Sequence, residues 1–379
     1  MAIPDRTRGG AIQTGVQEMS FADFVPAHIQ KIANYVSENP AEEIERDLGV
    51  KVVQLGMNEN PFGPSPKAVE AARSYMDQVA PYPDDSGFFL RQKLASHYGV
   101  SMDELIISSG SSDILSMAYH AVLTPGAEVV TGEASFVVYY LLADMLAMPI
   151  VRVPMKDYAF DLDAIAAKIN PKTALVVLAN PNNPTGTIVQ KRELDAFMKK
   201  LPDRVLVVLD EAYFEYVDDS EYPKSLEYVR AGRSVLVLRT FSKVFGLAGL
   251  RIGYGIAPKS VIDTLYKVRM AFNTSSVAQV AALAAWDDRA HVEKSVTLNR
   301  KERDFLYQGL AERGVKYVPS FANFVLVDLG RTARDVTSAL LKHGVIVRPA
   351  WGARQCMRVS VGTHEQNQRF LAALDKVLT

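Results

Sequence analysis

One cysteine, Cys356, in 379 residues leaves nothing for an internal disulfide and fits a reducing compartment. Excess charge of either sign is also missing: 42 Lys and Arg stand against 43 Asp and Glu, a formal net charge of −1. No overall field therefore favours nucleic acid or an anionic membrane. The longest apolar stretches fall well short of the ~20 residues that a membrane helix requires. The opening MAIPDRTRGGAIQTGVQEM carries charge but no apolar segment of the secretory kind. No G-x-G-x-x-G follows a strand-like run, which argues against a nicotinamide site, and no metal is called for. What is present, 48% hydrophobic and 22% charged residues, is ordinary for a globular chain. The expectation is a soluble, cytoplasmic protein of two domains.

The stretch SVLVLRTFSKVFGLAGLRIGY, residues 234–254, organises the rest. Val235 to Leu238 read as an inner strand of a parallel sheet. Directly beyond come Thr240, Ser242 and Lys243, with Arg251 eight residues after the lysine. A lysine delivered to a sheet edge is a candidate Schiff-base nucleophile, and hydroxyls with an arginine suit a phosphate. Together they suggest a lysine that holds pyridoxal phosphate.

Residues 1–20 lack periodicity and read as a flexible arm. From Phe21 to Leu48 the pattern turns helical, with Ile29, Ile32, Tyr35 and Val36 on one side, and within it NPAEEIERDLG resembles a short helix stopped by Gly49. The strand VVQLG precedes NENPFGPSP, an ordered loop at a strand end. After two helices, a short strand at Leu105 to Ile107 enters SSGSSD and then a helix. Amides at that helix N-terminus with small residues beside them form a possible phosphate cradle, although Ser and Asp also cap helices structurally. Strands and helices then alternate as far as SVLVLRTFSK. Nearly continuous apolar strands in such units mean a parallel sheet covered on both faces, with ligands at the carboxyl edge. Asn183, Asp210 and Lys243 each closely follow an apolar run, so three segments point polar groups at one place. After Pro258, helices and strands in a different order suggest a smaller α+β domain. The expected division is 61–265 for the large domain, with 21–60 and 266–379 forming the small one.

ANPNNPTG, DEAYFEY and RTFSKVFGLAGLRIGY, in that order, resemble the fold-type I, class I/II pyridoxal-phosphate aminotransferases. NENPFGPSP, PYPDDSG, SSGSSD, ANFVLV and CMRVSVGTHEQN resemble the histidinol-phosphate branch of that family. The resemblance covers nearly the whole chain from about Phe21. It implies an α/β fold with a mostly parallel central sheet flanked by helices, a smaller α+β domain, and a homodimer with shared active sites. It also implies transfer between an amino donor and a 2-oxo acid, with 2-oxoglutarate as acceptor.

Carried over by position, the resemblance makes Lys243 the Schiff-base lysine and Asp210 the partner of the pyridinium nitrogen. Asn183 and Tyr213 would hydrogen-bond the phenolic oxygen, and the peptide before Pro184 would be cis. Ser111, Ser112, Thr240, Ser242 and Arg251 would bind the phosphate, and Tyr82 would reach the phosphate of a partner subunit. Arg358 would grip the substrate carboxylate; strand alternation in MRVSVG puts Arg358 and Ser360 on one face. Tyr35 and Arg348 fall where the family engages the distal group of its substrate. Phe136 stands at the ring-stacking position, where the family usually has tyrosine, and PAWGARQC matches no family motif. A distal phosphate would favour arginine; an aromatic donor would favour apolar groups such as Phe62 and Trp351. An aromatic aminotransferase and a phosphate-ester decarboxylase remain alternatives on this scaffold. A cofactor-sensing regulator is disfavoured, because the short arm cannot supply a DNA-binding domain.

Overall fold

A computed structural model describes residues 20–32 and 41–378. The chain divides into two units, residues 1–36 and 37–379. In the first, Phe21–Phe24 form a 3₁₀ turn and Ala27–Gln30 a single helical turn. The helical pattern expected from Phe21 is therefore interrupted at Val25 and Pro26. Pro26 has no N–H to donate and its ring disfavours helical backbone at Val25, which is extended. In the second unit Ala41–Leu48 is helical and Gly49 ends it at φ +67°.

The strands of the second unit are β1 (Val53–Gln54), β2 (Leu105–Ser108), β3 (Glu128–Gly132), β4 (Ile150–Val153), β5 (Thr173–Ala179), β6 (Leu206–Asp210), β7 (Val235–Thr240) and β8 (Gly253–Ile256), followed by β9 (Lys316–Val318), β10 (Phe324–Asp328), β11 (Val345–Ile346), β12 (Arg348–Pro349) and β13 (Cys356–Ser360). Seven of them form one sheet in the order β2-β8-β7-β6-β5-β3-β4. All neighbours are parallel except β8, which runs antiparallel to both β2 and β7.

The apolar runs are continuous because each face of this sheet buries its own core. Val207, Leu209, Val235 and Val237 enter one cluster, while Leu206, Val208, Leu236 and Leu238 enter the other. Period-two alternation then decides what lies at the strand ends. Asp210 continues the face of Val208, and Thr240 that of Leu238; Glu211 and Arg239 fall on the opposite face. Helix Ser276–Trp286 adds Ala278, Ala281, Ala282, Ala285 and Trp286 to the first cluster, its alanines lying against helix Pro66–Tyr75.

A second, antiparallel sheet has the order β12-β13-β10-β9. Val325, Val327, Met357 and Val359 bury one face of it with residues of the helices Arg289–Glu312, Ala333–Lys342 and His364–Leu378. Arg358 and Ser360 take the other face, as alternation required. The VVQLG strand pairs in parallel with β11, which joins the segment before the NENP loop to this part of the chain.

Below the carboxyl ends of β6 and β7 sits a buried ion pair. Arg239 Nε and Nη2 donate to Glu211 Oε2 at 2.9 and 2.7 Å, with side chains only 8% and 1% exposed. The guanidinium also lies 3.7 Å over the ring of Phe214 and 4.9 Å over that of Tyr98. Removing one partner leaves a buried charge uncompensated. Glu211→Gln is thus expected to lower the unfolding free energy by about 3–5 kcal/mol in chemical denaturation, and adding Arg239→Met should recover part of that loss.

Candidate active site

The carboxyl edge of the large sheet assembles the groups that the sequence scattered. Register puts Asp210 beside Ala179 on one side and Leu238 on the other, so β5 and β6 end together and β7 runs two residues further. Gly253 pairs with Ser108 and with Thr240, which brings the helix beginning at Ser111 next to the end of β7.

That junction gathers hydroxyls and a guanidinium. Thr240 Oγ1 lies 3.0 Å from Ser242 Oγ, and Arg251 Nη1 donates to Ser242 Oγ at 3.4 Å. Arg251 itself has φ +52°, and a Cβ on Gly110 would come 2.6 Å from its Nη2. A Cβ on Gly253 would come 2.6 Å from the main-chain nitrogen of Ser111. Two missing side chains thus let the guanidinium approach the first turn of helix Ser111–Val122, whose leading amides have no intrahelical acceptors. The carboxylate in that turn, Asp113, is occupied by Ser108 and by Asn273 Nδ2 at 2.9 Å. This donor set suits a phosphate dianion.

Asp210 lies deeper, 7% exposed. Tyr139, fully buried, donates its hydroxyl to Asp210 Oδ2 at 2.8 Å, and the Ala212 amide reaches Oδ1 at 3.3 Å. Burial pushes the Asp210 carboxyl up to about 6, against the opposing effects of the Tyr139 and Ala212 hydrogen bonds and the Lys243 charge. A carboxylate held at this depth calls for a nearby cationic nitrogen. Phe136, at the start of helix Val137–Met145, meets the Tyr139 ring edge-on at 5.6 Å. A carboxylate, an aromatic face and a phosphate cradle on one sheet edge fit the pyridine ring and phosphate of pyridoxal phosphate.

Lys243 Nζ is half-buried, 5.5 Å above the Tyr213 ring. It donates to the carbonyls of Asn58 at 3.2 Å and Met57 at 3.5 Å. Asn183 is 7% exposed, and the peptide joining it to Pro184 is cis, as is Asn180-Pro181. Arg358 Nη1 donates to Asn183 Oδ1 at 2.6 Å, and Nη2 donates to the Gly56 carbonyl. Arg348 stands directly opposite Arg358 in the β12–β13 register, and its Nη2 lies 3.4 Å from Met57 Sδ. Directly paired strand residues share a face, so both guanidinium groups lie beside the 56–58 loop.

Tyr82 is 81% exposed and stacks on Phe272 with 4.7 Å between ring centroids. Tyr35 lies outside the described residues. Phe62 is half-buried, while Trp351 is 44% exposed and packs 5.7 Å from the Tyr140 ring. The unmatched PAWGARQC stretch is the β12–β13 connection. A Cβ on its Gly352 would meet the Glu133 carbonyl at 2.5 Å, so the loop lies against the backbone just after β3. Two residues of the site carry no local signal: Tyr139 lies in the apolar helix Val137–Met145, and Asn58 opens the ordered NENP loop. Among the described residues no group of His, Cys, Asp or Glu could hold a metal ion, and no helix is long and apolar enough to cross a membrane.

The family model described as aminotransferase class I and II matches residues 50–374. The chain is 47% identical over 354 residues to a histidinol-phosphate aminotransferase of Moorella thermoacetica, covering 92% of each. It is 43% identical over 366 residues to the protein of that name from Akkermansia muciniphila, covering 95% of this chain and 100% of that one. Among solved structures, histidinol-phosphate aminotransferase from Sinorhizobium meliloti in complex with pyridoxal-5'-phosphate superposes with a TM-score of 0.87. It shares 31% identity and covers 95% of this chain and 98% of that one.

The Asp210 carboxyl generates a pH prediction. A folded pKa raised above the unfolded value, ~3.9, means that the cofactor-free protein holds this proton more tightly when folded. Its contribution is complete below the unfolded value and is lost as pH rises through about 6. Cofactor-free Asp210→Asn should therefore be more stable than wild type at pH 8, by about 2–3 kcal/mol, with the difference disappearing near pH 4. Denaturant midpoints at the two pH values measure this.

Proposed function

The chain belongs to the aminotransferase class I and II family, and on that premise we propose that it transfers the amino group of histidinol phosphate to 2-oxoglutarate, with pyridoxal phosphate as cofactor. The observation that carries the substrate reading is the pair of arginines, Arg348 and Arg358, in register on one face beside the lysine-bearing site. Both partners in this reaction carry an anionic group, a phosphate ester in one and carboxylates in the other. Two guanidinium groups suit either, because each offers planar paired donors. The names of the relatives support the same donor.

When bound, pyridoxal phosphate supplies a carbonyl carbon that captures an amino group and a ring that accepts electrons. In the proposed assignment Thr240, Ser242, Arg251 and the Ser111-Ser112 amides and hydroxyls hold the phosphate. Asp210 would keep a proton on the ring nitrogen, with Tyr139 donating to its Oδ2. Phe136 would lie against the ring face, and Asn183 and Tyr213 would donate to the phenolic oxygen. Lys243 Nζ would hold the carbonyl carbon and would serve as the base that carries the proton of the donor carbon. Arg358 and Arg348 orient the substrate anion.

A homodimer with shared sites and a cytoplasmic location complete the proposal. An apolar strip supports the dimer: Tyr82, Phe89 and Met270 are 81%, 68% and 76% exposed, and Phe272 is 47% exposed. In the dimer Tyr82 would reach the phosphate of the partner's site.

In single-turnover assays of the loaded enzyme, histidinol phosphate should convert the chromophore far faster than phenylalanine, tyrosine or aspartate. A preference for phenylalanine or tyrosine would instead establish an aromatic aminotransferase. Borohydride should fix the cofactor to Lys243, and Lys243→Ala should lose that adduct; retention of it would overturn the lysine assignment. On a sizing column with light scattering the protein should run as a dimer, and Tyr82→Ala should weaken cofactor binding about tenfold, the effect of ~1.4 kcal/mol.

A further inference from the structure

The NENP loop carries a residue that the proposed assignment leaves without a role. Asn58 is 1% exposed and has φ +54°, a left-handed conformation that asparagine tolerates. Every polar group it has is engaged. Its main-chain N–H donates to Ser360 Oγ at 2.9 Å, and the Ser360 hydroxyl donates to Asn58 Oδ1 at 3.0 Å. Its carbonyl accepts from Lys243 Nζ at 3.2 Å and from Asn323 Nδ2 at 3.1 Å. Its side-chain Nδ2 donates to the Tyr213 hydroxyl at 3.1 Å.

The last contact has a chemical consequence. A tyrosine hydroxyl has one proton. Because Ser360 occupies the amide oxygen of Asn58, the amide presents its N–H to Tyr213, and the Tyr213 oxygen accepts. The Tyr213 proton must then point elsewhere, into the site. We propose that Asn58 is a positioning residue that aims the Tyr213 hydroxyl proton at the phenolic oxygen of the cofactor and ties that hydroxyl, through Ser360, to the strand that carries Arg358. This rests on the pyridoxal-phosphate reading of the site and adds a residue to it. The loop is well held for such a task. Asn60 Nδ2 donates to the Val244 carbonyl at 2.9 Å, Ser65 N–H to the Phe245 carbonyl at 3.1 Å, and a Cβ on Gly246 would come 2.3 Å from the Gly63 carbonyl.

A donor on the phenolic oxygen withdraws charge from it and so lowers the pH at which the lysine–cofactor chromophore loses its proton. Losing that donor raises the midpoint. The charged groups around Tyr213 are Lys243 above its ring, Asp210 at the end of β6, and Arg358 across the Phe324 ring that Tyr213 touches. All three are unchanged in the variants below.

The experiment titrates the visible absorbance of the holoenzyme against pH for wild type, Asn58→Gly, Asn58→Asp, Tyr213→Phe and Tyr213→Phe combined with Asn58→Gly. Glycine accepts the left-handed backbone and keeps the carbonyl that Lys243 and Asn323 use. Asn58→Gly should raise the midpoint by about one pH unit. Asn58→Asp, whose carboxylate draws the Tyr213 proton onto itself, should raise it further. In the Tyr213→Phe background Asn58→Gly should change nothing, because Asn58 acts through that hydroxyl. An unchanged midpoint in Asn58→Gly, an equal shift in both backgrounds, or a smaller rise in Asn58→Asp than in Asn58→Gly would overturn the proposal. If wild type itself shows no titrating chromophore and no borohydride adduct at Lys243, the cofactor reading fails first and takes this inference with it.

Discussion

A carboxylate at the end of an inner strand, closed off from water, is the constraint on which the rest of the site depends. Asp210 is poorly solvated where β6 leaves it, and burial raises its carboxyl, which stands at about 6 even with neighbouring groups opposing the rise. The protein offsets this partly from within, through the Tyr139 hydroxyl and the Ala212 amide. In the proposed assignment a protonated ring nitrogen would satisfy the remaining demand for positive charge. Binding of the cofactor would then also relieve an unfavourable buried charge.

The surrounding construction keeps the reacting groups close without crowding them. Glycines at 110 and 253 remove the atoms that would hold Arg251 and the Ser111 amide apart. The Glu211–Arg239 pair joins the residue just after β6 to the penultimate residue of β7, on the face opposite Asp210 and Thr240. It thereby holds two strand ends in register while contributing no atom to the chemistry. From the other side, the 56–65 loop is bonded both to the Lys243 turn and to β13. Arg348, Arg358 and Lys243 consequently share one short stretch of chain, residues 56–58.

How much of this could be read in advance varied with the kind of evidence. The parallel sheet and its covered faces followed from apolar runs such as LVVLD and VLVLRT, because burial on both faces leaves no polar alternation. β8 did not reveal its antiparallel direction, since GYGI carries no directional mark. The helix expected from Phe21 gave way to short turns, because one proline outweighs weak amphipathic spacing. Arg358 and Ser360 took the face that strand alternation assigned them. Arg348 came opposite Arg358 only through the pairing of β12 with β13, which the unmatched connection PAWGARQC concealed. Tyr139 looked apolar in its context and proved to be the hydrogen-bond donor to Asp210.

Sequence alone singled out Lys243, Asp210, Thr240, Ser242, Arg251 and the Ser111-Ser112 pair as candidates, because each sits at or near a strand end or helix start whose local pattern is self-announcing. Period-two alternation also determined which neighbours of those residues turn away. Tertiary structure decided everything that needs two distant segments to meet: Asn58 against Tyr213 and Ser360, Arg358 against Asn183, Tyr139 against Asp210. Such contacts join residues up to 302 positions apart. They depend on loop closure and packing between elements, and no local periodicity records a partner that arrives from another part of the fold.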